Sequence, residues 1–211
     1  MDAQILFSKG RVAPADRKKF WKAIWDSKGK SQSDDLLFLD GYEHLDIDFS
    51  SKEISNRILE LTKAKPENTI LEVGCGAGFL AREMQDYDYW GVDYSESLIK
   101  KHLNLFPKHK VMPAEADRLP FKNKSFDIVF CYGVFQYLPS TKYAEKVIEE
   151  MTRVAKKAVF LGDLKKKQTR KQHYVYPPKR LTKEGYEFSK CVYQPDNKDR
   201  YNAHLFLTKE Q

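Results

Sequence analysis

Three glycines in five positions, Gly74, Gly76 and Gly78, break up the stretch ILEVGCGAGFLAREM at residues 70–84. Glycine loses more backbone freedom on folding than any other residue. Such a density therefore implies either a turn that only glycine can make or the close approach of another group. The apolar run before the glycines reads as a strand over residues 69–73, and the residues after them, about 77–86, as a helix. A strand that turns through glycines into a helix is the place where layered α/β sheets hold their ligands.

The rest of the chain supports that architecture. Strand-like runs at 89–92, 109–112, 126–131 and 158–161 alternate with helical patterns at 95–103 and 141–154. The run FDIVFC is apolar enough for a central strand buried on both faces. Strands joined by helices or long crossovers imply a parallel, doubly wound sheet. Two β-rich runs at the end, YEFSKCVYQ (186–194) and AHLFLTK (203–209), are separated by a polar turn and no helix. They predict a hairpin that adds an antiparallel strand to the sheet. Upstream, PADRKKFWKAIWD (14–26) predicts a proline-initiated helix with Phe20, Trp21, Ile24 and Trp25 on one face. Ser50 and Glu53 have capping-box spacing for a helix to about residue 63, with Ile54, Ile58 and Leu61 as its buried stripe. With 211 residues, 41% of them hydrophobic, the chain is expected to form one compact domain over 51–211, preceded by an N-terminal helical segment over 1–50.

Composition narrows compartment and partners. No run approaches the roughly 18 apolar residues of a membrane span, and the N-terminus lacks the apolar core of a signal peptide, so a cytoplasmic protein is expected. Cys75, Cys131 and Cys191 are odd in number and lack disulfide or zinc spacing; reduced thiols in packing roles and no metal are expected. The net charge is +7, and residues 164–200, with eleven Lys or Arg against four Asp or Glu, carry all of it. Such a segment is either a solvated lysine-rich face or an attractor of an anionic substrate.

Three loop mouths then define a candidate ligand. A dinucleotide turn would have the spacing G-x-G-x-x-G, but here Phe79 stands at the third dinucleotide glycine. Glu72, two residues before the first glycine, would repel a pyrophosphate and pair with an ammonium group. Asp93 ends the next strand in GVDYS, about 20 residues past the glycine turn, where a doubly wound site presents an acid to ribose hydroxyls. In AEADRLPF, Asp117 could accept from an adenine amino group while Ala116 flanks the ring. Together these features describe adenosine linked to an amino acid.

With ILEVGCGAG, GVDYS, AEADRLPFKNKSFDIVF and GVFQYLP in this order, the chain resembles class I S-adenosylmethionine-dependent methyltransferases of the small-molecule kind over about residues 55–163. The resemblance implies a Rossmann-like α/β fold with a doubly wound, seven-stranded, mostly parallel sheet, its last strand antiparallel, and an N-terminal helical lid. It implies S-adenosyl-L-methionine as cofactor and S-adenosyl-L-homocysteine as product. The cofactor contacts would come from Glu72, Gly74, Cys75, Gly76 and Gly78, from Asp93, Tyr94 and Ser95, from Ala116, Asp117 and Arg118, and from Cys131 and Tyr132 at the end of the fourth strand.

Methyl transfer from a sulfonium needs little beyond positioning and desolvation. Where oxygen-methylating relatives often carry a histidine after the fourth strand, this chain has Gln136 and Tyr137, which are candidates for orienting the acceptor. His44 in GYEHL is a candidate base, with an ordinary pKa near 6.5. Candidate acceptor-binding residues are Tyr42, Asp163, His173, Tyr174, Arg200 and Tyr201, with Arg170 in the same basic region. The expectation is O-methylation of a small polar, anionic or sugar-linked metabolite by a monomer or homodimer, without membrane or nucleic-acid partners. The alternatives are a macromolecular acceptor (RNA or protein) and an S-adenosylmethionine-binding protein without catalysis. The missing N/D-P-P-Y tetrapeptide argues against base methylation, which would also need a groove with stacking aromatics.

Overall fold

The computed structural model describes residues 14–43, 50–168, 173–192, 194 and 196–207. At its centre is a seven-stranded sheet of order β3-β2-β1-β4-β5-β7-β6. The strands are β1 (Thr69–Val73), β2 (Asp88–Asp93), β3 (Lys110–Pro113), β4 (Phe126–Tyr132), β5 (Ala155–Lys165), β6 (Glu187–Lys190) and β7 (Arg200–Phe206). Neighbours run parallel except β7, which is antiparallel to both β5 and β6. The chain moves outward from β1 through β2 to β3 and then crosses back to β4 on the other side of β1. That reversal opens a crevice at the carboxyl ends of β1 and β4.

Apolar cover on both faces explains why β1, β4 and β5 are almost wholly buried. On one face α5 (Thr141–Val154) buries Ala144, Val147, Ile148 and Met151, an i, i+3, i+4, i+7 stripe. On the other, α3 (Ser51–Leu61) buries Ile54 and Ile58 against Ile70, Ile128 and Phe130. Its capping box forms as expected: Ser50 Oγ accepts from Glu53 N and Glu53 Oε2 accepts from Ser50 N, both at 3.2 Å. Two further helices, α1 (Pro14–Gly29) and α2 (Leu36–Leu39), lie over the crevice, and α4 (Glu96–Leu105) follows β2. Ser95 Oγ donates to Asp26 Oδ1 at 2.6 Å and Ser97 Oγ to Asp26 O at 2.9 Å, which ties α1 to the start of α4. A short α6 (Pro178–Lys183) precedes the final hairpin. Among the described residues no helix is long and apolar enough to cross a membrane.

The main departure from expectation follows β1. The helix expected over about 77–86 is instead a series of turns with one 3-10 turn, Ala81–Glu83. Gly76 at φ +49° and Gly78 at φ +104° leave the helical region, and the N–H groups of Ala77 and Phe79 bond to a side chain from α2's end instead of to a first turn. Elsewhere β5 is longer than its apolar centre, because it pairs with β4 on one side and β7 on the other. In the hairpin, β6 covers only 187–190 of the expected 186–194 run, and β7 begins three residues before the expected 203–209 run, inside the polar turn.

Candidate active site

A cavity of about 360 Å³ fills the crevice. Its floor is the turn after β1. Gly74 N and Cys75 N both donate to Val92 O, at 2.7 and 3.0 Å, and so bind the turn to β2. Asp93, at the end of β2, accepts from Gly76 N (3.2 Å) through Oδ2 and from Ser95 N (2.9 Å) through Oδ1. Glu72 is buried at the end of β1, where its Oε2 accepts from Tyr89 OH at 2.7 Å. Glu72, Gly74, Cys75, Gly76, Asp93 and Tyr94 all line this one cavity, as do Ala116 and Tyr132. The two acids on which the ligand reading depends therefore share a space.

A third carboxylate joins them that sequence reasoning missed. Asp40, in the turn after α2, accepts from Ala77 N through Oδ1 and from Phe79 N through Oδ2, both at 2.9 Å. Burial pushes Asp93 to about 6, Asp40 to about 7 and Glu72 to about 8. The hydrogen bonds to each of them oppose the shift, whereas Asp40 and Asp93 reinforce it on Glu72. A raised carboxylate pKa means that the folded state holds a proton the unfolded chain has released. Stability from these groups is thus present at low pH and lost as pH rises through their folded values. Burial lowers His102, His109 and His204, which titrate in the unfolded chain near 6.5 and act in the opposite sense below neutrality. Between pH 7 and 8.5 the ligand-free protein is accordingly expected to lose on the order of 1 kcal/mol of stability, read as a falling Tm. A cationic ligand that ionises these carboxylates should flatten the fall.

The third loop mouth corrects the adenine assignment. Asp117 and Arg118 do not line the cavity, whereas Glu115 and Ala116 do. The segment closes a turn in which Arg118 N donates to Glu115 O at 3.1 Å, and this aims residue 115 inward and leaves Arg118 exposed. Glu115 is held by Lys18 Nζ at 2.9 Å and by Tyr143 OH at 3.2 Å. Counting two residues past the end of β3 would have found it.

Three other residues lie behind the walls. Gly78 packs under the turn, where a Cβ would lie 2.9 Å from Phe106 and 3.1 Å from His102. His102 Nδ1–H donates to Gly76 O at 3.1 Å and braces the turn from below. Cys131 is fully buried in the core beneath α5, and the Ser95 hydroxyl is engaged with Asp26.

The opposite half of the cavity is aromatic and basic. Tyr137 sits edge-on to Trp21 (4.6 Å between centroids), Trp25 (5.1 Å) and His173 (5.7 Å). The α1 residues Lys18, Trp21, Trp25 and Lys28 recur at helical spacing along the roof. Gln136 is buried; its Nε2 donates to Gly133 O at 3.1 Å, and its Oε1 has no hydrogen-bond partner among the described residues. Tyr42, Asp163, His173 and Arg200 line the same half, together with Lys165, whose Nζ is 2.7 Å from His173 Nδ1. Asp163 takes a left-handed φ of +56° where the β5–β7 register shifts, and it pairs with Arg200. A non-glycine residue held in that region is typical of a functional position. Tyr174 and Tyr201 turn away: their hydroxyls donate to Thr141 Oγ1 at 2.9 Å and to Tyr176 O at 3.0 Å. His44 and Arg170 lie outside the described residues.

Comparison with known proteins bears on the fold. Residues 71–161 match the methyltransferase domain family. The nonribosomal peptide synthetase agiA of Aspergillus flavus is 23% identical over 177 residues, 73% of this chain and 2% of that one. Phosphoethanolamine N-methyltransferase 1 of Haemonchus contortus, in complex with phosphoethanolamine and S-adenosylhomocysteine, superposes with a TM-score of 0.64 at 15% identity, over 96% of this chain and 52% of that one. Magnesium protoporphyrin IX methyltransferase of Synechocystis PCC 6803, with bound S-adenosylmethionine, superposes with a TM-score of 0.57 at 16% identity, over 99% and 98%. The chain thus spans a small fraction of the synthetase's length and about half of the Haemonchus enzyme's. Residues 71–161 thus resemble the methyltransferase domain family, and the fold is the one shared by the S-adenosylmethionine-dependent methyltransferases on which the chain superposes.

Proposed function

We propose that this chain transfers the methyl group of S-adenosylmethionine to a small, polar, anionic metabolite, with oxygen as the acceptor atom. The observation that carries the reading is the charge distribution along one cavity: Asp40, Glu72 and Asp93 gather where β1 and β2 end, whereas Lys165, His173 and Arg200 line it toward β5 and β7, where Arg200 is paired with Asp163. The acidic end fits a cofactor that carries an ammonium and a sulfonium against one carboxylate, and Asp93 keeps acceptor capacity for a diol beyond its two backbone bonds. When bound, that cofactor supplies an electrophilic methyl group with its own leaving group.

The chain's own residues would bind, orient and exclude water. Trp21, Trp25 and Tyr137 form an apolar wall over the cavity, which strengthens electrostatic contacts inside it. Lys165 donates to His173 Nδ1, which places the imidazole proton at Nε2 and makes His173 a donor to an anion. Burial holds the Tyr42 phenol protonated, well above its ordinary pKa. Gln136 Oε1 can accept from an acceptor hydroxyl but cannot remove its proton. An acceptor oxygen that is already ionised, such as a carboxylate, needs no base, and this favours an anionic acceptor.

The test is a screen of carboxylated and phosphorylated metabolites for S-adenosylhomocysteine formation. Turnover is expected with at least one of them, and Lys165→Met should raise its KM about tenfold while leaving cofactor affinity unchanged, the loss expected for one charge-assisted contact. The basic segment at 164–200 favours a second reading, a macromolecular acceptor. Turnover confined to RNA or protein, or salt-sensitive retention on nucleic acid, would replace the first reading with it. Tight cofactor binding with no turnover on any acceptor would indicate a binding protein instead.

A further inference from the structure

Asp40 belongs to the segment that covers the cavity, yet both of its carboxylate oxygens are spent on the turn that forms the cavity's floor. Oδ1 and Oδ2 take Ala77 N and Phe79 N at 2.9 Å each, two donors that a regular helix after β1 would have left at its first turn. A side chain 37 residues upstream thus caps the broken helix start and pins the end of α2 to it, while Asp26 ties α1 to the neighbouring start of α4. The fit is close: a Cβ at position 76 would lie 1.9 Å from Asp40 Oδ1. The groups that act on this carboxylate are Asp93 from the end of β2 and Lys28 from α1; Glu72 from β1, Tyr42 beyond α2 and the Cys75 thiol in turn feel its charge. Lys28 is itself drawn off to Phe38 O at 2.6 Å and Glu43 at 2.7 Å. The local balance around Asp40 is therefore acidic, and a positive charge entering the cavity would favour its ionised, gripping form.

We propose that Asp40 is a positioning residue that reads the charge of the cofactor, holding the α1–α2 cover on the glycine turn more firmly over the sulfonium substrate than over the neutral thioether product. This rests on S-adenosylmethionine being the cofactor. In transfer, the S–CH3 bond breaks with its electron pair left on sulfur, while an acceptor lone pair forms the new bond to carbon, so the sulfur loses its positive charge. The grip on Ala77 and Phe79 weakens at that moment, and the cover loosens over the product. A carboxylate hydrogen bond to a backbone N–H is strongest when the acid is ionised, and a ligand shifts such an equilibrium only by its different affinity for the two states. Asp40, raised to about 7, is poised to respond near neutrality.

Calorimetry of both ligands on the wild type and on Asp40→Asn tests the proposal, with amide exchange at Ala77 and Phe79 as a readout in the wild type. The amide substitution keeps the size of the side chain and removes its charge; it also turns an NH2 toward one of the two N–H groups, a loss that falls on both ligands alike and leaves their affinity ratio as the readout. It should cut the preference for S-adenosylmethionine over S-adenosylhomocysteine about tenfold, and the two amides in the wild type should exchange more slowly with the first ligand than with the second. Should Asp40→Asn fail to fold, as judged by thermal unfolding, the exchange comparison decides alone. Equal losses for both ligands, or equal protection at both amides, would reduce Asp40 to a structural cap and overturn the inference. Binding of neither ligand to the wild type would instead refute the cofactor assignment.

Discussion

Gly76→Val is expected to weaken S-adenosylmethionine binding at least a hundredfold and to lower the melting temperature of the ligand-free protein. Position 76 has φ +49°, a left-handed conformation that costs a β-branched residue roughly 1–2 kcal/mol or more. The new Cβ would stand 1.9 Å from Asp40 Oδ1, and that carboxylate cannot step aside without giving up Ala77 N and Phe79 N. Each such charge-assisted bond is worth about 1.5–3 kcal/mol. Losing them releases the cover and reshapes the cavity floor together. Gly185→Ala is the control. It also has a left-handed φ, +83°, but its nearest neighbour would be 3.8 Å away and it lies outside the cavity. A loss of about 1 kcal/mol in stability with unchanged cofactor affinity is expected there. Calorimetry and thermal unfolding on the two variants separate a demand for space from a demand for backbone freedom.

The second large effect is expected from Asp93→Ala. Two backbone donors, Gly76 N and Ser95 N, would lose their acceptor in a buried place, and each orphaned donor costs about 1–3 kcal/mol. The helix start at α4 and the glycine turn would both loosen, and the cavity would lose the acid proposed to hold a ribose diol. The expected outcome is loss of measurable cofactor binding with a visibly lower Tm. Asp93→Asn retains one acceptor oxygen but turns a donor toward the other N–H, so its affinity should fall between wild type and alanine. An alanine variant that binds as well as wild type would show that Asp93 serves α4 and the turn alone.

The parts of this site legible in the sequence are those set by local chemistry. β1 ran over the expected 69–73, α5 over the expected 141–154, and the Ser50–Glu53 capping box formed, because apolar period and cap spacing fix such elements without reference to the rest of the molecule. That the glycine turn and Asp93 share one cavity was legible for a related reason, since strand ends converge at a switch point by topology. Asp40 was not legible. Its role depends on a contact across 37 residues, and nothing in LLFLDGY marks that aspartate as a cap for a turn elsewhere. The same contact is why the expected helix at 77–86 failed. Two glycines with positive φ break the repeat, and a distant side chain satisfies the donors they expose. Glu115, beside the expected Asp117, was not legible either: both acids lie in one short turn, and only the turn's geometry decides which faces the cavity.

The central claim, that the acidic end of the cavity is a site for S-adenosylmethionine, is tested most directly by titrating the purified protein with that ligand and, separately, with NAD. One equivalent of S-adenosylmethionine should bind, S-adenosylhomocysteine should compete with it, and NAD should give no heat. Binding of NAD with no heat from S-adenosylmethionine would contradict the assignment of Glu72, Asp40 and Asp93 to a cationic ligand.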